Sequence, residues 1–383
     1  MNSIIKFLFY FSVLFVLSCT ESTNMLTVIK SDGSCYREFN SKVNQAFLQG
    51  DTTSKLNPFP VDINSNWIVS WKFRDSNWFT EFPASKSKID SIVKSIKSKS
   101  KPTVGGEQKS DDFYVHTRRN YASIEDMAAN FKLKKSHKWS EMKVKYTLEK
   151  KFRWFYTYYI YRETYPKIKS NFDIPIDKYM SNEEALFWFT GKPDILKGMN
   201  GIEIREYVGS LENKYNKWIT YNSWNLEYNV LLKNYSKIKK QPVSIVRLEM
   251  LKDTIFDSKV KDAEEYSMEK VLNNYFKTNV FSILWNEKDS QLKKFEKDFD
   301  EQDFMRFFTE SFNYRLIMPG KIISPNDAVM SGDTVTIKLT AYRMVPSDYK
   351  IEVQSRKVNI WAFILSGIIL LVAAGSFIWK PKK

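Results

Sequence analysis

Histidine and cysteine are nearly missing from this chain, with two of each in 383 residues. Cys19 and Cys35 cannot build a disulfide framework. His116 and His137 leave no room for a multi-histidine zinc centre and offer only two bases to a Ser-His-Asp triad. His137 lies in the lysine-rich run LKKSHKW and reads as solvated surface, while His116 follows Tyr114 and Val115 and reads as structural. Glycine and proline number 12 each, which argues against collagen-like, linker-dominated and glycine-loop nucleotide-binding architectures. No GxSxG, HExxH, Walker A or GxGxxG pattern occurs, so the sequence implies no catalytic residue, no metal and no cofactor. The densest acidic group, Asp298, Asp300, Glu301 and Asp303, lacks the glycine and closing glutamate of an EF-hand loop and reads as a solvated helix face. Acidic residues are outnumbered 44 to 59, giving a net charge of +15. That excess suits phospholipid headgroups or nucleic acid, and equally suits plain solubility.

The two ends are apolar. Residues 1–18 place Lys6 before a hydrophobic run from Phe7 to Leu17, too short for a comfortable span and of the length of a signal-peptide core. The run ends in Val16, Leu17, Ser18 and Cys19, which resembles a bacterial lipobox and makes Cys19 the expected lipidated residue, with 19–24 as a polar tether. At the other end, the 20 residues 360–379, opened by Ile360 and closed by Trp379, carry no charge and span roughly 30 Å as a helix. Trp361 and Trp379 are placed for the two interfaces, and Lys380, Lys382 and Lys383 for a cytoplasmic anchor. Residues 358–379 therefore read as a transmembrane helix and 380–383 as a tail, with the main domain outside the cytoplasm. The expected location is the bacterial inner membrane, where nucleic acid is not a partner; membrane lipid is held through Cys19 and the stretch from Ile360 to Trp379, and anionic lipid or an envelope protein is the further candidate.

Between the anchors, Asp32-Gly33 separates two β-rich runs and predicts a hairpin. Trp67, Val69, Trp71 and Phe73 alternate with more polar residues, as in a half-buried strand, and Ile89, Ile92, Val93 and Ile96 recur at helical spacing with lysines among them. The stretch 142–165 alternates without a slip: Met142, Val144, Tyr146, Leu148, Phe152, Trp154, Tyr156, Tyr158 and Ile160 share one parity, and Phe155, Tyr159 and Tyr161 the other. It predicts one long bent strand, or two collinear ones, with the second half covered on both faces and the helical block as cover for one of them. Helical signals then run from Ile174 to Glu310, including a capping box at Ser181 and Glu184, before alternating strands return. The expected fold is α+β, with an antiparallel sheet core in two parts, 25–172 and 311–357, around a helical insertion at 173–310.

The lipobox, LTVIKSDGS soon after it, and MPGKIISPNDAVMSGDTVTIKL before the terminal span resemble the LppM-type envelope lipoproteins. Pro319, Gly320, Ile322, Asn326, Gly332, Thr334 and Val335 carry the likeness, over about a quarter of the chain. The resemblance implies an α+β extracytoplasmic domain beside the membrane that handles lipid or glycolipid. The expected function is a membrane-anchored, non-catalytic protein that binds a lipid, another amphiphile or a partner. A carboxylate-dependent glycan hydrolase or a glycan-binding protein is the alternative, since spacing between carboxylates in space is invisible in sequence. The aromatic run supplies the candidate ligand residues: Trp154, Phe155, Tyr156, Tyr158, Tyr159 and Tyr161, whose amphipathic rings suit a lipid or sugar chain.

Overall fold

The computed structural model describes residues 22–53, 55–99, 113–170, 172–261, 266–299, 303–325 and 329–378, with 22, 99, 303, 304, 377 and 378 described by backbone alone. The signal segment, Cys19, the first part of the expected tether, Asn326, Trp379 and the lysine tail lie outside these residues; Ser22, Thr23 and Asn24, expected as tether, instead open a strand that pairs with Ser311, Phe312 and Asn313. The fold is α+β, with mainly antiparallel sheets, and the chain divides into two compact units. One comprises Glu21–Pro166, Glu310–Thr340 and Asp348–Lys383; the other comprises Lys167–Thr309 and Ala341–Ser347 among its described parts.

The first unit contains two sheets. Strands β1 (Ser22–Ile29), β2 (Cys35–Val43), β3 (Ile68–Phe73) and β4 (Phe113–Tyr121) join β7 (Ser311–Ile317), β9 (Val329–Ser331) and β10 (Thr334–Thr340) in the order β3-β4-β2-β1-β7-β10-β9. Strands β5 (Lys145–Phe152), β6 (Tyr156–Tyr165), β8 (Lys321–Ser324) and β11 (Tyr349–Val358) form the second, in the order β5-β6-β11-β8. The β1–β2 turn puts Gly33 at φ 102°, the left-handed region that favours glycine. β1 pairs in parallel with β7, from Ser22 opposite Ser311 to Val28 opposite Ile317. This pairing joins the two sequence segments that flank the helical insertion.

The stretch 142–165 is a hairpin and not one long strand. Arg153 N donates to Tyr156 O at 2.7 Å and Tyr156 N to Arg153 O at 3.1 Å, closing a two-residue turn at Trp154 and Phe155. Neither turn residue has a positive φ, so no glycine or asparagine is required. Asn359 completes the turn from far along the chain: its side-chain amide donates to Arg153 O at 2.8 Å and Trp154 O at 3.1 Å, and its backbone N donates to Phe155 O at 2.9 Å. Pairing Phe152 with Thr157 and Tyr146 with Glu163 sets even positions of β5 opposite odd positions of β6. The unbroken parity of the sequence thus describes two strands whose faces exchange parity at the turn.

In the second unit, the helix Gly201–Asn234 begins at Asn200, which with Glu203 forms a capping box, and Ser181 with Glu184 forms another before the helix Asn182–Thr190. Trp224, Tyr228 and Leu231 on the long helix pack with Phe256, Met268, Leu272, Phe281 and Trp285 into the helical core. Burying each such side chain contributes about 1.5–3 kcal/mol. The segment Ala341–Ser347, expected within the closing sheet part 311–357, belongs to this unit: Tyr342 packs on Phe308 at 4.5 Å and Arg343 donates to Thr190 O at 3.3 Å.

The C-terminal helix Ile360–Ile378 follows β11 through Asn359. It is described in full to Ser376, and among the residues so described no helix is long and apolar enough to cross a membrane.

Candidate functional site

In the sheet unit, a cavity of about 700 Å³ opens beside the helix Ile124–Asn130 and the segment that follows it, where both sheets contribute walls. Met25 of β1, Arg37 of β2 and Phe312 of β7 come from the larger sheet, and Tyr146 and Tyr165 from the smaller. Phe131, Trp139 and Met142 extend the apolar lining, while Lys132, Lys135 and Lys143 stand exposed at the rim with Glu141 as the acid among them. The volume is that of a small-ligand site, and the lining is mostly apolar with charge at the mouth.

Arg37 lies on the floor and is buried, as is Glu163, whose Oε1 receives Arg37 Nη2 at 3.2 Å. Arg37 Nε also donates to Thr27 Oγ1 at 3.0 Å and Nη1 to the Tyr146 hydroxyl at 3.4 Å, and its guanidinium stacks over the Phe131 ring at 4.5 Å. The hydroxyls of Tyr161 and Tyr165 donate to Glu163 at 3.0 and 2.6 Å. Burial works against the Arg37 charge, but Glu163 and the surrounding tyrosines outweigh it and hold the guanidinium above its usual range. Burial also pushes Tyr146, Tyr161 and Tyr165 upward, which keeps all three hydroxyls protonated and leaves Tyr161 and Tyr165 as donors to Glu163. Arg37 and Glu163 cancel each other's charge, so attraction for an anion comes from the lysine rim and not from the floor. Nothing in the sequence pattern marks this pair: Arg37 and Glu163 each stand beside an opposite charge, Glu38 and Arg162, in alternating strands, and only the packing of two sheets brings them together.

The six aromatic residues expected to form one ligand surface are separated by the hairpin. Trp154 and Phe155 occupy its turn, against Trp361 and Phe363. Tyr156 and Tyr158 are half-buried on one face of β6, with Arg356 over the Tyr156 ring at 4.9 Å. Tyr159 and Tyr161 are buried on the other, where Tyr159 donates to Ser31 O at 3.0 Å and Tyr161 to Glu163. The larger sheet supplies the cover on that face through Ser31, Arg37 and Tyr314, the place expected for the helical block. None of the six is among the residues lining the 700 Å³ cavity.

His137 corrects the surface reading. It is buried, stacked on Phe312 with ring centroids 5.4 Å apart, and its Nδ1 accepts from Trp139 N at 3.1 Å. A turn closed by His137 N to Lys134 O directs the ring inward while Lys135 stays exposed. Burial, with Lys134 nearby, lowers its pKa to about 4, so the Glu310 carboxylate 3.6 Å from Nε2 faces a neutral imidazole at pH 7. His116 is on β4 with Nδ1 3.1 Å from Glu38. Cys35 is buried; burial pushes its thiol up to about 11, which removes it as a nucleophile.

In the helical unit, Glu227 and Glu296 are both held above the ordinary glutamate range, chiefly by burial. Glu227 is fully buried in the region of Trp224 and Tyr228, so no polysaccharide reaches it without opening that core. A second cavity, about 860 Å³, lies elsewhere in this unit beside Phe172, Ile174 and Trp218, and neither glutamate lines it. Compared with known proteins, the chain matches no protein-family model, no curated protein and no solved structure.

Proposed function

We propose that this is a membrane-anchored extracytoplasmic lipoprotein whose sheet unit binds an amphiphile with an anionic head, without catalysing a reaction on it. The observation that carries the reading is the 700 Å³ cavity, apolar inside and ringed by Lys132, Lys135 and Lys143. A hydrocarbon tail gains the burial energy of the walls, and a phosphate or carboxylate head meets ammonium groups that remain hydrated at the mouth. Cys19 is the lipidated residue in this reading and the C-terminal helix is the single inner-membrane span. Support for the span comes from a helix without charged residues whose 19 residues measure about 28 Å, and from the exposure of Leu370, Leu371 and Val372 at 69%, 75% and 68%. The likeness of Pro319, Gly320, Ile322, Gly332, Thr334 and Val335 to LppM-type lipoproteins agrees with it.

The test uses the full chain in detergent with fluorescent lysophosphatidylglycerol and lysophosphatidylcholine as probes. The chain is expected to prefer the anionic probe, and Lys132→Glu combined with Lys143→Glu to weaken it by about tenfold, about 1.4 kcal/mol. Val144→Trp, which places a large ring in the cavity, is expected to block both probes. Unchanged binding in the folded variants would reject this site.

A further inference from the structure

The C-terminal helix does not leave the sheet unit through a free linker. Asn359 holds the β5–β6 turn by three hydrogen bonds from its own N–H and amide, its Oδ1 accepts from Thr157 Oγ1 at 2.9 Å, and its carbonyl accepts from Ala362 N at 2.9 Å. The hairpin tip then runs down the side of the helix. Phe152 stacks on Trp361 with centroids 6.2 Å apart and planes 4° from parallel, Trp154 meets Trp361 edge-on at 5.3 Å, and Phe155 packs on Phe363 at 4.6 Å. Ala362, between Trp361 and Phe363, is buried. Trp154 Nε1 donates to Ser366 Oγ at 2.9 Å. Ser366 is six residues beyond Ile360, so the tip reaches about 9 Å along the helix.

Despite these contacts the tip keeps apolar surface in the open: Phe152 is 58% exposed, Trp154 44% and Phe155 39%. Exposed Lys150, Lys151, Arg153 and Lys357 lie beside it in sequence or across the strands, with Lys151 paired to Glu149 at 2.9 Å and Lys150 and Lys357 donating to Ser31 at 3.2 and 3.1 Å. Tryptophan and phenylalanine bordered by basic residues match the headgroup boundary of a bilayer, apolar on one side and anionic on the other. The indole N–H is already satisfied by the Ser366 hydroxyl, which is what an apolar surrounding demands of it.

We infer that the β5–β6 tip is a second membrane element, a wedge of Phe152, Trp154 and Phe155 seated in the interfacial layer beside the terminal helix with its basic neighbours on anionic headgroups. The inference rests on the helix being a span, which fixes the depth of the tip. A rigid hairpin tied to a span at two levels holds the sheet unit at a set height and orientation on the leaflet, whereas a flexible linker would leave it free to tumble.

The experiment places an environment-sensitive nitrobenzoxadiazole label on Phe155→Cys in the full chain carrying Cys35→Ala, reconstituted in phosphatidylcholine vesicles with a minority of phosphatidylglycerol. Fluorescence from the parent without the added cysteine is subtracted. Lipids bearing a nitroxide near the head or deep in the acyl chain report depth. Strong quenching by the shallow nitroxide and weaker quenching by the deep one is expected at Phe155, the reverse at Leu371→Cys, and none at Asn64→Cys. Phe152→Cys serves as the second tip site should the first substitution disturb the turn. If Leu371 is unquenched, the span reading itself fails. If Leu371 is quenched while both tip sites match Asn64, the wedge is overturned and the span stands. Tip labels that are unquenched but transfer energy between chains in a concentration-dependent way would overturn it in favour of a second copy covering the tip.

Discussion

Arg37 and Glu163 show how much a single pair can demand of its surroundings. Each is buried, the arginine tied to Thr27 and Tyr146 on two other strands and the glutamate to Tyr161 and Tyr165 on its own. Removing one partner strands the other charge in a poorly hydrated place, so Arg37→Met or Glu163→Leu is expected to destabilise the protein by about 3–5 kcal/mol. The double substitution Arg37→Met with Glu163→Leu is expected to cost less than the two single effects added together, because it leaves no unpaired charge. Denaturant unfolding of the four proteins measures this cycle; additive costs would mean that the pair is not coupled. Little of this was legible beforehand. Alternation identified Tyr161 as inward-facing on one of two faces, but sequence contains nothing about which strand from the other sheet lies opposite.

At the scale of elements, local signals succeeded where the cause of the structure was local. Asp32-Gly33 does make the β1–β2 turn, Ser181 with Glu184 does cap a helix, and Trp67, Val69, Trp71 and Phe73 are buried on one face of β3 or at its start. The β5–β6 turn failed because its stabilising partner, Asn359, is some 200 residues away. Gly320 shows a third case, in which a motif was visible but its reason was not. It has φ 74°, and a Cβ there would sit 2.3 Å from the carbonyl oxygen of Arg356, at the point where the chain passes from β7 in one sheet to β8 in the other. The neighbouring Pro319 carbonyl accepts from Ser355 Oγ at 2.8 Å, which closes the same junction. Gly320→Ala combines backbone strain with a clash against main chain that has no rotamer to escape into, and is expected to cost about 2–4 kcal/mol. Gly332→Ala, also at positive φ but with open space around its Cβ, is expected to cost about 1 kcal/mol. Equal midpoints for the two variants in thermal unfolding would refute this account of Gly320.

At the scale of the whole molecule, the two units carry buried titratable groups whose effects on stability have opposite signs. In the sheet unit, the His137 pKa falls from 6.5 to about 4, so between those values the unfolded chain holds more protons than the folded one. Stability of that unit therefore rises with pH across this window, by up to about 3 kcal/mol, and is lost again as pH falls towards 4. In the helical unit, Glu227 is held well above the ordinary glutamate value by burial, with Glu296 adding to the shift. The folded unit then keeps a proton that the unfolded chain has released, so its stability is full below pH 4.5 and declines as pH rises towards the folded pKa, at a slope of at most about 1.4 kcal/mol per unit for this group. The Tyr266 hydroxyl beside Glu227 opposes the shift only in part, and an amide of the same shape keeps a carbonyl oxygen for that hydroxyl while no longer ionising. Hydrogen exchange, read separately over the strand Ser311–Ile317 and the helix Gly201–Asn234, is expected to show protection increasing in the strand and decreasing in the helix between pH 5 and 7, once the intrinsic exchange rate is divided out. His137→Phe should flatten the first trend alone, and Glu227→Gln should weaken the second alone, leaving the part contributed by the raised Glu296 carboxyl. A common direction in both segments, or a trend unchanged in its own variant, would show that these two groups do not govern the units in which they are buried.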